Sequence, residues 1–325
     1  MTMIETLEHD PAVPIDARYS FAGITLSSDL DLPGLDPAGI DAPVDVVIRC
    51  DEARFMDDCV EVGATTMRPD GTCVLDLPPV ARVAINASQA TIAIAPFPGI
   101  GRNFVRHVIV DVALPRYFAL LGYAAVHATA VSIDTGTVAF LAGSGRGKST
   151  LCGALVAQGG SWVADDFLLL DVGVQQTTVI PTAISTRLLA DSAAALGIDH
   201  TDGEEIAEDA PKRRWSVQGS RDPVGLTCII VLDRRPGPEG PVTCAPLNAR
   251  DAMAELAEQW FLSEAGSVSP WMFLSTIGRL LHTTPMLRLS YPSSFDRLAE
   301  TTAMIRSQIA GRSTSIRSLA LMARR

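Results

Sequence analysis

The chain has 325 residues, 47% of them hydrophobic and 19% charged, which is enough for two domains with a sizeable core and too apolar for a disordered chain. A formal net charge of −11 argues against a general nucleic-acid binder, which needs cationic surface to displace counterions. The longest apolar stretch, 107–133, is interrupted by Asp111, Pro115, Arg116 and His127, so no membrane span of about 20 apolar residues is expected.

The N-terminal "MTMIETLEHD" carries acids and no signal pattern, which makes a cytoplasmic protein the expectation, and residues 1–17 read as unanchored. From 18 to 98 the text is short strands and turn signals. "VVIRC" is a strand, "MRPDGTCVLDL" a hairpin around Asp70-Gly71, and "VAINASQATIAIAP" a second hairpin with alternating apolar residues. These predict a small antiparallel β domain without a chemical constellation. The six cysteines (Cys50, Cys59, Cys73, Cys152, Cys228, Cys244) form no Cys-x-x-Cys pair and read as reduced thiols.

Residues 103–124 have helical periodicity, with Pro115 as a break or kink. Paired strands "AAVHATAVSID" and "TVAFLAG" follow, then a glycine-rich loop and the helix "KSTLCGALVAQG". "SWVADDFLLLDV" is predicted as one strand, "TRLLADSAAALG" as a short helix, and 199–214 as an exposed loop, acidic and then basic. "LTCIIVLDRR" reads as a buried strand. Helices at 251–264 and 270–282, the strand "MLRLSYP" and a last helix capped by Ser293 with Asp296 close a domain spanning 99–310. The basic end, 311–325, reads as a solvated tail.

The loop "AGSGRGKST" meets the needs of phosphate binding. Glycines let backbone N–H groups turn inward, a lysine neutralises the β/γ-phosphates, a hydroxyl suits Mg²⁺, and a helix N-terminus faces the anion. Gly143, Gly145 and Gly147, then Lys148, then Ser149 supply these in order, with Ser144, Arg146 and Thr150 between and after them. Ala142 stands where the strict motif has glycine. A dinucleotide fingerprint fails, because its last glycine is replaced by Lys148. Asp165 and Asp166 end the next strand. One is a candidate for holding Mg²⁺ and the other for approaching an acceptor hydroxyl.

The run "VHATAVSI…VAFLAGSGRGKSTLCGALVAQGGSWVADDFLLLD" resembles the core of the HPr serine kinase/phosphorylase superfamily. The front "YSFAGITLSSDLDLPGL", the segment "IPTAISTRLLADS" and the late "LRLSYP" are similar to the HPr-kinase-like proteins of lasso peptide clusters, which phosphorylate the C-terminal serine of a precursor peptide. The resemblance implies an α/β protein, a small N-terminal antiparallel β domain followed by a phosphoenolpyruvate carboxykinase-like, HPr kinase-like P-loop domain. It implies ATP and Mg²⁺ as cofactors and a precursor peptide as partner, with no nucleic acid or membrane, and leaves a homo-oligomer open.

The same resemblance makes Lys148 and Ser149 the phosphate and Mg²⁺ ligands, Asp166 the base that accepts the serine proton, and strand-borne His127 its tuning neighbour. Asp191, on the helix "LLADS", becomes a further acidic metal ligand, and with Asp166 as base Asp165 is left as the member of the pair that would hold Mg²⁺. The bifunctional bacterial enzymes have an acidic residue where this chain has Thr150, and their glycine-rich second signature is not found here, so kinase activity alone is expected. Lys212, Arg213 and Arg214 suit a clamp on the γ-phosphate or on a peptide carboxylate. Two other functions stay open: a nucleotide-gated regulatory protein, and a kinase of a small metabolite.

Overall fold

The computed structural model describes residues 16–32, 34–51, 65–206, 211–235, 237–261 and 270–322. The chain is mixed α/β and divides into two units, one reaching to Tyr123 and one beginning at Ala124, with short later returns to the first. The boundary therefore falls after the first helical segment rather than at 98/99.

The first unit holds an eight-stranded sheet of β1 (Ala17–Phe21), β2 (Ile24–Ser28), β3 (Asp36–Pro37), β4 (Val46–Cys50), β5 (Thr65–Met67), β6 (Cys73–Leu77), β7 (Ala81–Asn86) and β8 (Thr91–Pro96). The order is β3-β1-β2-β4-β8-β7-β6-β5. Both expected hairpins form, β5–β6 around Gly71 and β7–β8. The sheet is mixed rather than antiparallel, because β4 pairs in parallel with β2 and with β8. Such pairs need long connections, and the stretches 29–45 and 51–90 supply them. The expectation of an unanchored 1–17 fails at its end: Ala17 opens β1, and Asp16 binds Arg49 at 2.6 Å. Residues 1–15 lie outside the described residues.

Helices α1 (Arg102–Val108) and α2 (Leu114–Leu120) are joined by a π turn, Ile109–Ala113. Pro115 does not break the segment. It sits in the first turn of α2, and the Leu114 N–H reaches Ile109 O five residues back, so the widened turn absorbs the proline.

The second unit is built on a nine-stranded sheet: β9 (Ala124–Val126), β10 (Ala128–Ile133), β11 (Gly136–Leu141), β12 (Ser161–Ala164), β13 (Leu168–Val172), β14 (Thr177–Ile180), then β18 (Val224–Arg235), β19 (Thr243–Pro246) and β20 (Met286–Pro292). A side sheet holds β15 (Ser185–Leu189), β16 (Glu204–Glu205) and β17 (Lys212–Ser216). Alternation along the central strands separates two cores. Ala139, Leu141, Ile229 and Val231 face helices α5 (Ala249–Gln259) and α6 (Pro270–Thr283) through Leu256, Ile277 and Leu280. Phe140, Cys228 and Ile230 face α3 (Lys148–Ala157) and α7 (Leu298–Met322) through Leu155, Ile305 and Ile309. Burying each of the leucine, isoleucine, valine and phenylalanine side chains among these is worth about 1.5–3 kcal/mol, so the sheet is held from both faces.

Several expected elements change. "TRLL" is strand β15, because Thr186 and Leu188 point inward while Ser185, Arg187 and Leu189 are less buried, a period of two. Only Ala190–Ala195 is helical (α4). Residues 212–214 are in strand β17 rather than an exposed loop, while 207–210 lie outside the described residues. Ser293 does not cap the last helix. Its N–H bonds Arg235 O, and Ser294 precedes a 3₁₀ turn, Phe295–Arg297, without a side-chain cap. The helix then continues to Met322, so no separate tail begins at 311. The expected 251–264 helix ends at Gln259, with 262–264 outside the described residues. No described helix is long and apolar enough to cross a membrane. Cys73, Cys152, Cys228 and Cys244 are free thiols, and Cys59 lies outside the described residues.

Candidate functional site

The glycine-rich loop joins β11 to α3, and Gly147 begins the helix in the left-handed region at φ 93°. Gly145 also needs positive φ, at 76°. Gly147 is doubly constrained, because a Cβ there would stand 2.9 Å from the Tyr291 hydroxyl, which donates to Arg146 O at 2.7 Å. Burial pushes the Tyr291 phenol up to about 12, so it remains a donor. Ala142 and Gly143 use ordinary negative φ, so alanine at 142 costs the loop nothing in conformation. Residues 144–150 line a cleft of about 790 Å³, counted to its open mouth, and Gly143 lies outside that lining.

Beneath the loop, two chain segments break at the same level. His127 interrupts the path between β9 and β10, its N–H taken by Gln259 O at 2.7 Å, so it is not within a strand as expected. Residues 165–167 interrupt the path between β12 and β13. β10 pairs with β12, and β9 with β13, so both segments exchange partners at one corner. Asp166 turns that corner at φ 58°, a region aspartate tolerates better than most side chains. The turn separates the two carboxylates.

Asp165 is buried under the loop. Its Oδ1 accepts the Ser149 hydroxyl at 3.0 Å and the Thr129 hydroxyl at 2.7 Å. Its Oδ2 is buried without a hydrogen bond; the nearby Thr186 hydroxyl favours the charged form but forms no directed bond to it. Burial first, then the neighbouring Asp166 charge, raise the Asp165 carboxyl to about 6. Asp166 instead lines the cleft and is gripped by Arg187 through Nε at 2.9 Å and through Nη2. Burial works to raise its pKa, but Arg187, His127 and Lys148 outweigh it and hold the carboxyl at about 2.

His127 connects lysine and aspartate. Its Nδ1–H donates to Asp166 O at 2.9 Å, which leaves Nε2 to accept from Lys148 Nζ at 3.2 Å. Burial and then the Lys148 charge lower its pKa, which favours this neutral form. Lys148 Nζ also donates to Ala142 O at 2.7 Å. Burial lowers the Lys148 pKa, while Asp166 and Asp165 pull it upward.

The expected three-residue clamp does not assemble. Lys212 lines the cleft. Arg213 faces the other way, donating to Thr201 O at 3.4 Å and Gly203 O at 3.2 Å, while Arg214 is buried off the cleft wall. Consecutive strand residues alternate faces, so three in a row cannot grip one anion. Asp191 lines the cleft, but its Oδ1 receives the Ser192 N–H at 2.7 Å, and among the described residues no three His, Cys, Asp or Glu side chains converge as a metal centre. Thr150 donates to Ser192 Oγ at 3.1 Å.

Neither a protein-family model nor a curated protein matches the chain. A solved structure similar to part of it is the Hpr(Ser) kinase/phosphatase from Coxiella burnetii, at 14% identity and a TM-score of 0.30 over 57% of this chain and 96% of that one. A likeness at that TM-score assigns neither fold nor function.

Arg187 is one site residue that sequence reasoning missed. The available signal was a lone arginine in an otherwise small and apolar stretch, hidden by reading that stretch as helix. Arg187 and Lys212 reach the same cleft because β15 and β17 pair, with Arg187 opposite Arg214 and Leu189 opposite Lys212. Tyr291 and Arg234, whose Nη1 donates to Gly145 O at 3.4 Å, come from strands distant in sequence and had no local signal.

Proposed function

We propose that this chain is an ATP-dependent serine kinase acting on a ribosomal precursor peptide, at its C-terminal serine, in lasso peptide tailoring. The observation that carries the phosphotransferase reading is the division of labour around the loop. Lys148 and Ser149 open α3, Asp165 lies beneath Ser149, and Asp166 faces the cleft. Ser149 and Asp165 would hold Mg²⁺. The buried, unbonded Asp165 Oδ2 fits that role, and one hydroxyl with one carboxylate suits a cation that completes its shell with phosphate and water. When bound, the ion neutralises the β- and γ-phosphate oxygens.

Asp166 then accepts the proton of the acceptor hydroxyl while the serine oxygen bonds to the γ-phosphorus and the bond to the β,γ-bridging oxygen breaks, releasing ADP. His127 positions this aspartate through its main-chain carbonyl. Lys212, with Arg187 once it leaves Asp166, offers the cationic contacts for phosphate or a terminal carboxylate. The peptide acceptor rests on the sequence resemblance and on these cations.

Incubation with Mg²⁺-ATP and a precursor peptide ending in serine should add phosphate to that serine, read by mass spectrometry. Asp166→Asn should bind nucleotide and transfer about 10²–10⁴-fold more slowly. Transfer at the parent rate would place the base elsewhere. The Asp166–Arg187 pair favours a second reading, nucleotide-gated binding without transfer. Intact ATP binding with no phosphopeptide or phosphometabolite would support it.

A further inference from the structure

The cleft has walls of two kinds. Lys148, Asp166, Arg187, Asp191 and Lys212 supply charge, as do Arg146 in the loop and Arg234 beside Tyr291, whereas the stretch from the end of β20 into α7 supplies Tyr291, Pro292, Ser294, Phe295 and Leu298, none of them charged. This second wall is anchored to the loop itself, through the Tyr291 bond to Arg146 O and the close approach of Tyr291 to Gly147. Leu298 packs against the buried cluster that includes Leu151 and Tyr291, so the wall is rigid at its base. Phe295 remains 38% exposed at the cleft and pairs with no other ring among the described residues. The Ser294 side chain does not cap the turn that follows it.

An uncharged wall carrying an exposed ring, fixed to a phosphate-binding loop, matches the other half of a nucleotide. We propose that this wall is a nucleobase subsite, in which the aromatic base stacks on Phe295, flanked by Pro292 and Leu298, while its phosphates occupy the loop. The inference rests on the phosphate-loop reading, and deepens it by assigning the selectivity for a nucleoside to residues 292–298. A flat base can be received by a ring at low cost, because Phe295 already lies open and no side chain must leave a core to meet it. Ser294 supplies a hydroxyl beside the stack for a polar base edge or a ribose.

The test compares ATP with inorganic tripolyphosphate, both with Mg²⁺, on the full chain by calorimetry. Phe295→Ala should weaken ATP binding about tenfold, the loss that removal of one base–aromatic stack gives, and leave tripolyphosphate affinity unchanged. Phe295→Trp should restore ATP affinity. Unchanged ATP affinity in Phe295→Ala would overturn the subsite, as would equal weakening of ATP and tripolyphosphate, which would make Phe295 a support of the loop. Failure of tripolyphosphate to bind the wild type would overturn the phosphate-loop reading and the subsite with it, a result distinct from either of the others.

Discussion

Replacing Arg187 by methionine tests the electrostatics of the corner directly. The side chain keeps an unbranched stem of similar bulk and loses the charged guanidinium, and both members of the Asp166 pair are largely shielded, at 18% and 15% side-chain exposure. Asp166 titrates at about 2 in the folded chain against an ordinary 3.8, and Arg187 is the largest influence in that direction. The gap corresponds to about 2 kcal/mol of stability by linkage. Because the folded pKa is depressed, this contribution is complete above pH 3.8 and disappears as the pH falls through about 2. Arg187→Met should therefore lower the unfolding free energy at pH 7 by a part of that amount, since His127 and Lys148 also favour the charged carboxyl, with a larger loss if Asp166 stays charged and unpaired. The difference from wild type should shrink steadily below pH 4. Urea denaturation at a series of pH values between 7 and 3 measures it. A deficit of constant size across that range would mean that Arg187 acts through packing and that the charge argument is wrong.

Lys148→Ala should abolish measurable Mg²⁺-ATP binding, read by calorimetry, since the ammonium lies at the loop and beside Asp166. Gly147→Ala should cost about 1–2 kcal/mol for the left-handed backbone and more for the clash with the Tyr291 hydroxyl, and Tyr291→Phe should relieve only the second part in urea melts. Ala142→Gly should leave ATP affinity unchanged, because position 142 uses ordinary φ. Removing free Mg²⁺ with a chelator should weaken ATP binding in the wild type more than in Asp165→Ala, if Asp165 is the protein's carboxylate toward the ion.

The glycine-rich loop and the helix after it were legible because their requirements are local. Positive φ at 145 and 147, a lysine and a hydroxyl at the head of a helix all fall within seven residues, and Gly147, Lys148 and Ser149 stand where expected. The hairpins around Gly71 and between β7 and β8 were legible for the same reason. The parallel pairing of β4 was not, because its partners are chosen by contacts tens of residues away. The clamp fails on period: charge alone makes 199–214 look like an exposed loop, and strand alternation in β17 sends Arg213 away from Lys212. Reading "TRLL" as helix concealed Arg187, since the inward Thr186 and Leu188 on either side of it are a strand pattern that helical spacing obscures.

The adjacent aspartates illustrate what a sequence leaves open and a backbone turn decides. In the text they are equivalent, two carboxylates at the end of one strand. In the structure the φ of 58° at Asp166 sends one beneath the loop and the other into the cleft. Their surroundings then push them in opposite directions: burial and a neighbouring charge raise Asp165 to about 6, and cations hold Asp166 at about 2. Pairs driven apart in this way are how one site assigns two roles to one residue type. Asp165 holds hydroxyls from Ser149 and Thr129 and has no access to an acceptor, so its carboxylate can serve only the loop and whatever binds there. Asp166 reaches the cleft, yet at about 2 it is a weak base while Arg187 holds it. An anionic phosphate in the cleft competes for the same guanidinium, and each contact Arg187 transfers to that phosphate makes Asp166 a better proton acceptor. Under the kinase reading, base strength is thus coupled to the arrival of the group to be transferred, through one arginine that helical periodicity had hidden.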